Sequence, residues 1–539
     1  MKKTLKVLSS LILIFSLLAG AFAGNVSAQD ENTSLSLSVG AEPPTLDPGL
    51  ATDSTSGSVI RNVFEGLTHN VDGEIHPGVA ESWETSEDEL TWTFKLRENS
   101  TWSNGDPVTA NDFEYAWKRA LDPATASQYS SILYVIEGAE EFNSGEGDAD
   151  GVAVTAVDDY TLEVTLTNPT PYFLELTSFY TYLPVHQGTV EENSEAWAAE
   201  AGDTYVTNGP YDLAEWNHNA NLVLTKNAEY WDAENVQIEN VNIQIIESEA
   251  TANAEFQAGN LDYLGTPYGT VSLDSIDMYR EQDILQSVPY AAIYWYKVNT
   301  TDETLQNANL RKALALAIDR QGLVDNILKG GQLPALGLVP PTMAGFEEDR
   351  GYMQDAAYEE ANEYLALAME ELGVSDPSEI TVNIGINDSE AHSTIAQFIQ
   401  QGWASNLGIN SEINSTEWQV YLEDLQNLNY QVGRMGWIAD YNDASSFLTM
   451  YRTAETGNND TGWENEEFKN LIDSAAAETD EAARTQMLVD AEAVMMEEMP
   501  VIPIYYYTSN YVVKDGVENM VPDALGNISL KDVTKTAAE

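Results

Sequence analysis

Ile380-Thr-Val-Asn-Ile-Gly-Ile386, followed shortly by His392-Ser-Thr-Ile-Ala-Gln-Phe-Ile-Gln-Gln-Gly-Trp-Ala-Ser-Asn406, is the stretch that decides the fold. The first run reads as a short strand, the second as a helix with apolar residues at near-helical spacing. Residues 356–372 and 481–496 repeat the helical pattern, and 309–328 carries it through Leu310, Leu314, Ala317, Ile318 and Val324. A further strand is expected at 501–507. Toward the N-terminus, strands are expected at 34–39, 91–97, 222–225 and 241–246, with a hairpin at 156–167. Helices are expected at 58–67 and 111–121, the second capped by Asn111 or Thr109. Residues 42–48 are Pro-broken, and Trp102-Ser-Asn-Gly-Asp-Pro107 is a turn. Strands alternating with helices, plus separate hairpins, indicate an α/β or α+β protein of several lobes. No internal repeat and no Ser/Gly linker is evident, so the lobes interleave, with the chain crossing between them more than once.

The 539 residues include 88 Asp+Glu, 23 Lys+Arg, five His and no Cys, for a formal charge of −65. With 43% hydrophobic and 10% aromatic residues, the chain builds real cores and is not an acidic disordered protein. Phosphates would be repelled, so nucleic acid is excluded as a partner. Absent Cys excludes disulfide frameworks, thiolate zinc sites, thiol nucleophiles and iron–sulfur clusters. The acids spread along the whole chain, which fits salty or alkaline surroundings better than a single cationic ligand.

Lys2, Lys3 and Lys6 precede an apolar run over 7–19, and Ala21-Phe22-Ala23 and Val26-Ser27-Ala28 offer cleavage patterns. Residues 1–28 read as a secretory signal peptide, with an uncleaved anchor as the alternative. Cleavage before Gln29 leaves 511 residues, in which 20 bases face 88 acids, a charge of −68.

Enzyme signatures are missing. No Gly-x-Ser-x-Gly elbow and no P-loop occurs, and His69, His76, His186, His218 and His392 are dispersed. Asp148-x-Asp150-Gly151 lacks the downstream Glu of a calcium loop and reads as a surface turn. With 88 acids, paired carboxylates arise everywhere by chance. More suggestive are aromatic clusters at Tyr294-Trp295-Tyr296, Glu417-Trp418, Gly436-Trp437 and Tyr505-Tyr506-Tyr507, which wall a ligand cleft or fill a core. Arg434-Met-Gly-Trp-Ile-Ala-Asp440-Tyr-Asn-Asp443 sets a scarce arginine near an acid in an otherwise apolar segment, where a buried charge needs a partner.

A series of blocks in order resembles the extracytoplasmic oligopeptide-binding proteins of peptide ABC importers, solute-binding protein family 5. They are Glu42-Pro-Pro-Thr-Leu-Asp47-Pro48, Arg61-Asn-Val-Phe-Glu-Gly-Leu67, Pro77-Gly-Val-Ala-Glu-Ser-Trp83, Trp102 to Ala110, Asn208-Gly-Pro-Tyr211 and Asn227-Ala-Glu-Tyr-Trp231. Arg311-Lys-Ala-Leu-Ala-Leu-Ala-Ile-Asp-Arg320, Glu417-Trp418, Asp440-Tyr-Asn-Asp443, Asn458-Asn459 and Pro503-Ile-Tyr-Tyr-Tyr507 complete it, so the likeness covers nearly the whole mature chain.

The resemblance implies a type II periplasmic-binding-protein fold of α/β class, two large lobes closing on a cleft plus a smaller extra domain. It implies domain I at 29–64, 187–289 and 508–539, domain II at 65–186, and domain III at 290–507. A short peptide would lie extended between the lobes as an added strand. The family carboxylate for the peptide's α-ammonium falls on Asp440, with a plain turn cap as the alternative role. Neighbouring positions fall on Tyr129, Trp418, Arg434, Gly436, Trp437 and Tyr507, and the far end of the peptide on Asn387, His392 and Arg434. No catalytic residue, cofactor or metal is implied. The partners implied are short peptides and a membrane permease with cytoplasmic ATPases, and the protein itself a monomer.

Two departures bear on peptide length: Leu425 stands where enteric relatives carry an arginine, and Thr52-Asp53-Ser54 replaces a glutamate-containing stretch. A lipid-modified Cys, usual in Gram-positive relatives, is absent, so the protein is expected free in a periplasm, loosely surface-associated, or held by an uncleaved signal. Rival readings are another cargo on the same fold (dipeptide, signalling peptide, oligosaccharide) and a secreted carboxylate-dependent hydrolase.

Overall fold

Two thirteen-residue strands, Gln286–Val298 and Val501–Val513, run antiparallel through the middle of the molecule. The computed structural model describes residues 33–536 apart from Asp72 and Glu348, so the expected signal peptide lies outside the described residues. Both strands are rich in aromatic and β-branched residues, and residues 290–298 are buried without interruption, as in a strand covered on both faces. Pro503 sits inside the second strand, where it cannot donate to the ladder; the pairing register shifts beside it, between Tyr294 and Trp295.

Around this pair a seven-stranded sheet is ordered Tyr263–Gly265, Val501–Val513, Gln286–Val298, Val432–Ile438, Thr381–Asn387, Asn410–Thr416, with Leu333–Pro334 pairing Val501–Val513 off that path. Thr381–Asn387 and Asn410–Thr416 are parallel, and the helix Glu390–Asn406 crosses between them, the strand–helix unit expected from the sequence. The first lobe holds a four-stranded sheet in which Ser34–Val39 pairs in parallel with Asn240–Ile245, followed by Asn221–Lys226 and Tyr211–Asn217. An antiparallel sheet of Ala80–Thr85, Thr91–Leu96, Thr161–Thr165 and Val154–Asp158 anchors the smaller second lobe.

The chain interleaves these lobes. Its first strand pairs with one some 200 residues on. Near its end, the Leu530 N–H donates to Asn62 Oδ1 (3.0 Å) and Lys535 Nζ to Ser34 O (2.9 Å). The expected boundaries 289/290 and 507/508 both fall inside the long strands, so neither coincides with the end of an element.

Several local expectations need correction. The helix expected at 309–328 is broken into Ala308–Leu316, Arg320–Leu323 and a π-helical turn Val324–Leu328. At the break Asp319 caps the second piece, and buried Arg320 ties Ala315 O (3.0 Å) to Pro503 O (2.9 Å), which a straight helix could not allow. The helix expected at 58–67 is Ser54–Val63, because Asp53 accepts from the N–H groups of Thr55 and Ser56 and starts it early. Thr109, not Asn111, caps Ala110–Leu121, in a reciprocal box with Asp112. The strand expected at 501–507 continues to Val513, held by its pairing with Tyr263–Gly265.

Candidate functional site

Between the lobes lies a cavity of about 400 Å³, and all nine residues singled out from the sequence line it: Tyr129, Asn387, His392, Trp418, Arg434, Gly436, Trp437, Asp440 and Tyr507. They come from segments far apart in the chain, from Tyr129 to Tyr507. Tyr129 is brought by the second lobe, Asn387 ends the strand Thr381–Asn387, and Trp418 begins the helix Trp418–Gln426.

The strand Val432–Ile438 supplies the wall. One edge is bonded to Gln286–Val298, setting Gly436 opposite Tyr294 and Arg434 opposite Tyr296. Its parallel partner Thr381–Asn387 pairs only at Val432 and Gly433 and then diverges. From Arg434 onward the second edge faces the cavity, since residues 434–440 all line it. Gly436 keeps the wall flat: a Cβ there would sit 3.2 Å from Tyr507 Oη and 3.3 Å from Ile293 O.

A charged group stands at each end of this edge, and the two do not pair with each other. Asp440 accepts a hydrogen bond from Tyr129 Oη (3.1 Å), while its own N–H donates to Ser446 Oγ (2.9 Å). Turn capping belongs to Asp443, whose Oδ1 accepts from the Ser445 N–H (2.9 Å) and which is paired with Arg484. Burial pushes Asp440 up to about 7, although the Tyr129 hydrogen bond and the Arg61 charge pull the other way. At the other end, Arg434 donates to Asn387 Oδ1 (3.1 Å) and Tyr507 Oη (3.4 Å) and lies over the Tyr294 ring. Its buried Nε has no hydrogen-bond partner among the described residues. His392 is held neutral, because burial and the adjacent Arg434 push it well below the usual imidazole range.

Aromatic rings close the Asp440 end. Tyr129 stacks on Trp437 (6.1 Å) and contacts Phe179 (5.2 Å) and Tyr180 (5.7 Å). Arg61, from the helix Ser54–Val63, lies over both Phe179 and Tyr180 and also lines the cavity. Sequence reasoning quoted Arg61 but did not single it out; its signal was scarcity, since only 23 residues are basic. Tyr505 was likewise not singled out, although the period-two rule puts it on the Tyr507 face. Tyr506 points the other way and donates to Gly337 O (2.9 Å).

The lobes meet along this cleft. Tyr172 stacks on Tyr441 at 4.2 Å, Arg452 pairs with Glu140 (2.5 Å), and the Asn442 N–H donates to Glu175 Oε2 (2.7 Å). Among the described residues no helix is long and apolar enough to cross a membrane, and no group of three or more His, Cys, Asp or Glu is placed to hold a metal ion.

Comparison with known proteins agrees with this architecture. The family model for bacterial extracellular solute-binding proteins, family 5 Middle, matches residues 74–459. The oligopeptide-binding protein OppA of Bacillus subtilis is 44% identical over 543 residues, covering 99% of each chain. The structure of Haemophilus influenzae OppA in complex with the peptide RPPGFSPFR superposes with a TM-score of 0.89 at 31% identity, covering 94% of this chain and all of that one. Against the unliganded open form of the murein tripeptide-binding protein MppA, 30% identical over 94% of this chain and 98% of that one, the TM-score is 0.63. The lobes here stand nearer the arrangement of the peptide complex than that of the open form.

Proposed function

We propose, since this chain belongs to the bacterial extracellular solute-binding proteins of family 5, that it is a receptor binding short peptides in extended form between its two large lobes. The observation that carries this reading is the half-free strand edge from Arg434 to Asp440. A peptide laid against it gains main-chain hydrogen bonds that do not depend on its side chains. Six residues at strand rise separate the two charged ends by about 20 Å, the reach of a short extended peptide. Asp440 would receive the α-ammonium. Arg434, with Asn387 and neutral His392 beside it, would receive the far end.

The cavity's imidazole, His392, is held neutral beside a cation, Asp440 is bonded to a phenol, and Glu249, which accepts from Ser389 Oγ, also bonds the Ala391 N–H at a helix start, the pattern of a cap. A binding protein, not an enzyme, is therefore the reading adopted. Delivery to a membrane permease with cytoplasmic ATPases, release from the cytoplasm by the N-terminal signal at 1–28, a monomeric state, and the three-domain division given above belong to the same proposal.

Calorimetry with tetra-alanine tests it, using free and N-acetylated forms and recovery of the peptide by mass spectrometry. Tight binding of the free form, weak binding of the acetylated form and intact recovery are expected. Cleavage of the peptide, or equal binding of both forms, would defeat the reading.

A further inference from the structure

Two helices from different lobes meet end to end beside the cavity, and their starts carry the same tripeptide. Ser248-Glu249-Ala250 opens the helix Glu249–Ala258, and Ser389-Glu390-Ala391 opens Glu390–Asn406. The first helix belongs to the first lobe, following the strand Asn240–Ile245; just beyond it, the Asp262 N–H donates to Ser36 O and its carboxylate accepts from the Ser36 N–H (2.8 Å each). The second is the crossover helix of the third lobe.

The contact is reciprocal. Glu249 Oε1 accepts from Ser389 Oγ (2.6 Å) and the Ala391 N–H (3.4 Å). Glu390 accepts from Ser248 Oγ (3.1 Å) and the Ala250 N–H (3.0 Å). Each serine meanwhile caps its own helix, Ser248 accepting from the Thr251 N–H and Ser389 from the His392 N–H (3.2 Å each). Every carboxylate thus sits at the positive end of the other lobe's helix, with charge-assisted hydrogen bonds from a hydroxyl and a backbone amide. Glu249 is half-buried and Glu390 exposed, so the Glu249 side is the stronger.

We propose that these two Ser-Glu-Ala starts form an inter-lobe latch, in which Glu249 and Glu390 are positioning residues that prolong the closed state whatever the sequence of the cargo. The proposal rests on the peptide-receptor reading, in which the lobes part to exchange ligand. Parting them breaks all four trans hydrogen bonds and leaves each helix's own cap intact. The latch therefore acts on the closed state and not on the folding of either lobe. Its four bonds run between the lobes and none goes to Asp440 or to the Arg434–Asp440 strand edge, although Glu249, Ser389 and Ala391 line the cavity, so it should set the lifetime of the complex more than its selectivity.

The test compares wild type with Glu249→Ala, Glu390→Ala and the double variant. Dissociation of tetra-alanine and of RPPGFSPFR is followed by tryptophan fluorescence, and the radius of gyration of the peptide-free protein by small-angle scattering. Expected are dissociation about tenfold faster for Glu249→Ala and about threefold for Glu390→Ala, by the same factor for both peptides, with melting temperature and association rate unchanged. The peptide-free double variant should also be the more extended. Unchanged dissociation with equal radii overturns the latch while leaving a peptide receptor standing. Absence of any peptide binding to wild type defeats the receptor reading instead, and the radii then decide the latch alone. Ser389→Ala, which removes the stronger trans hydroxyl, should reproduce the faster dissociation; wild-type rates in it would also count against the latch.

Discussion

Tyr129 donates its phenolic hydrogen to Asp440 Oδ1 at 3.1 Å, across 311 positions of sequence and from one lobe to another. This one bond joins the aromatic wall of the second lobe to the end of the strand edge in the third. Besides this bond, the Ser446 hydroxyl also acts on the carboxylate. Tyr129 thus fixes the orientation of the Asp440 carboxylate that the proposed reading assigns to the peptide's α-ammonium.

Asp440→Asn keeps the shape and removes the charge, and should weaken binding of a free peptide by roughly 2–5 kcal/mol. Acetylating the ligand's N-terminus should cost wild type a similar amount and the variant little more, because both changes break the same pair. Additive losses measured by calorimetry would contradict a direct ion pair.

Affinity should depend on pH through the same residue. In the closed cleft burial holds Asp440 at about 7, and a bound α-ammonium favours its ionised form. Below that value the carboxyl must release a proton in order to bind, so affinity falls with decreasing pH by up to about tenfold per unit. Above about 8 the peptide's own amino group loses its charge, and affinity falls again. Titrations from pH 5 to 9 should give a peak between these limits for wild type and no acid limb for Asp440→Asn.

Gly457 permits closure by close approach. A Cβ on it would lie 1.7 Å from Gln128 O, a backbone atom of the second lobe. Gly457→Ala should therefore block closure, reducing affinity at least about tenfold while leaving the peptide-free melting temperature within about 1 °C, since the clash vanishes when the lobes part. A large fall in melting temperature would place the contact in the fold instead.

Salt should stabilise this protein. With 88 acids against 23 bases, self-repulsion is strong at low ionic strength and is screened as the Debye length shortens from about 30 Å at 0.01 M to about 3 Å at 1 M. Melting temperature should rise from low to molar sodium chloride. A steady fall would mean that ion pairs such as Arg119–Asp47 (2.6 Å) outweigh the net repulsion.

The sequence by itself determined the α/β or α+β class and the order of most elements, while the nine cavity residues were named through the resemblance to a family. The first are properties of short stretches, as the apolar spacing of Glu390–Asn406 shows; the segment Arg434 to Asp443 is an unbroken run whose residues travel together. Where the local signal was ambiguous, tertiary contacts decided. The break near Ala317 follows from Arg320 reaching Pro503 O, and the extension of the last long strand from its pairing with Tyr263–Gly265. The Ser-Glu-Ala starts were invisible as a pair, because the tripeptide also stands at Ser194-Glu195-Ala196 and acids recur throughout the chain. Only the placement of the lobes brings two of the three copies together. A hydrogen bond depends on distances of a few tenths of an ångström, and between lobes those distances are set by how sheets pack and close, a quantity that no local spacing in the chain encodes.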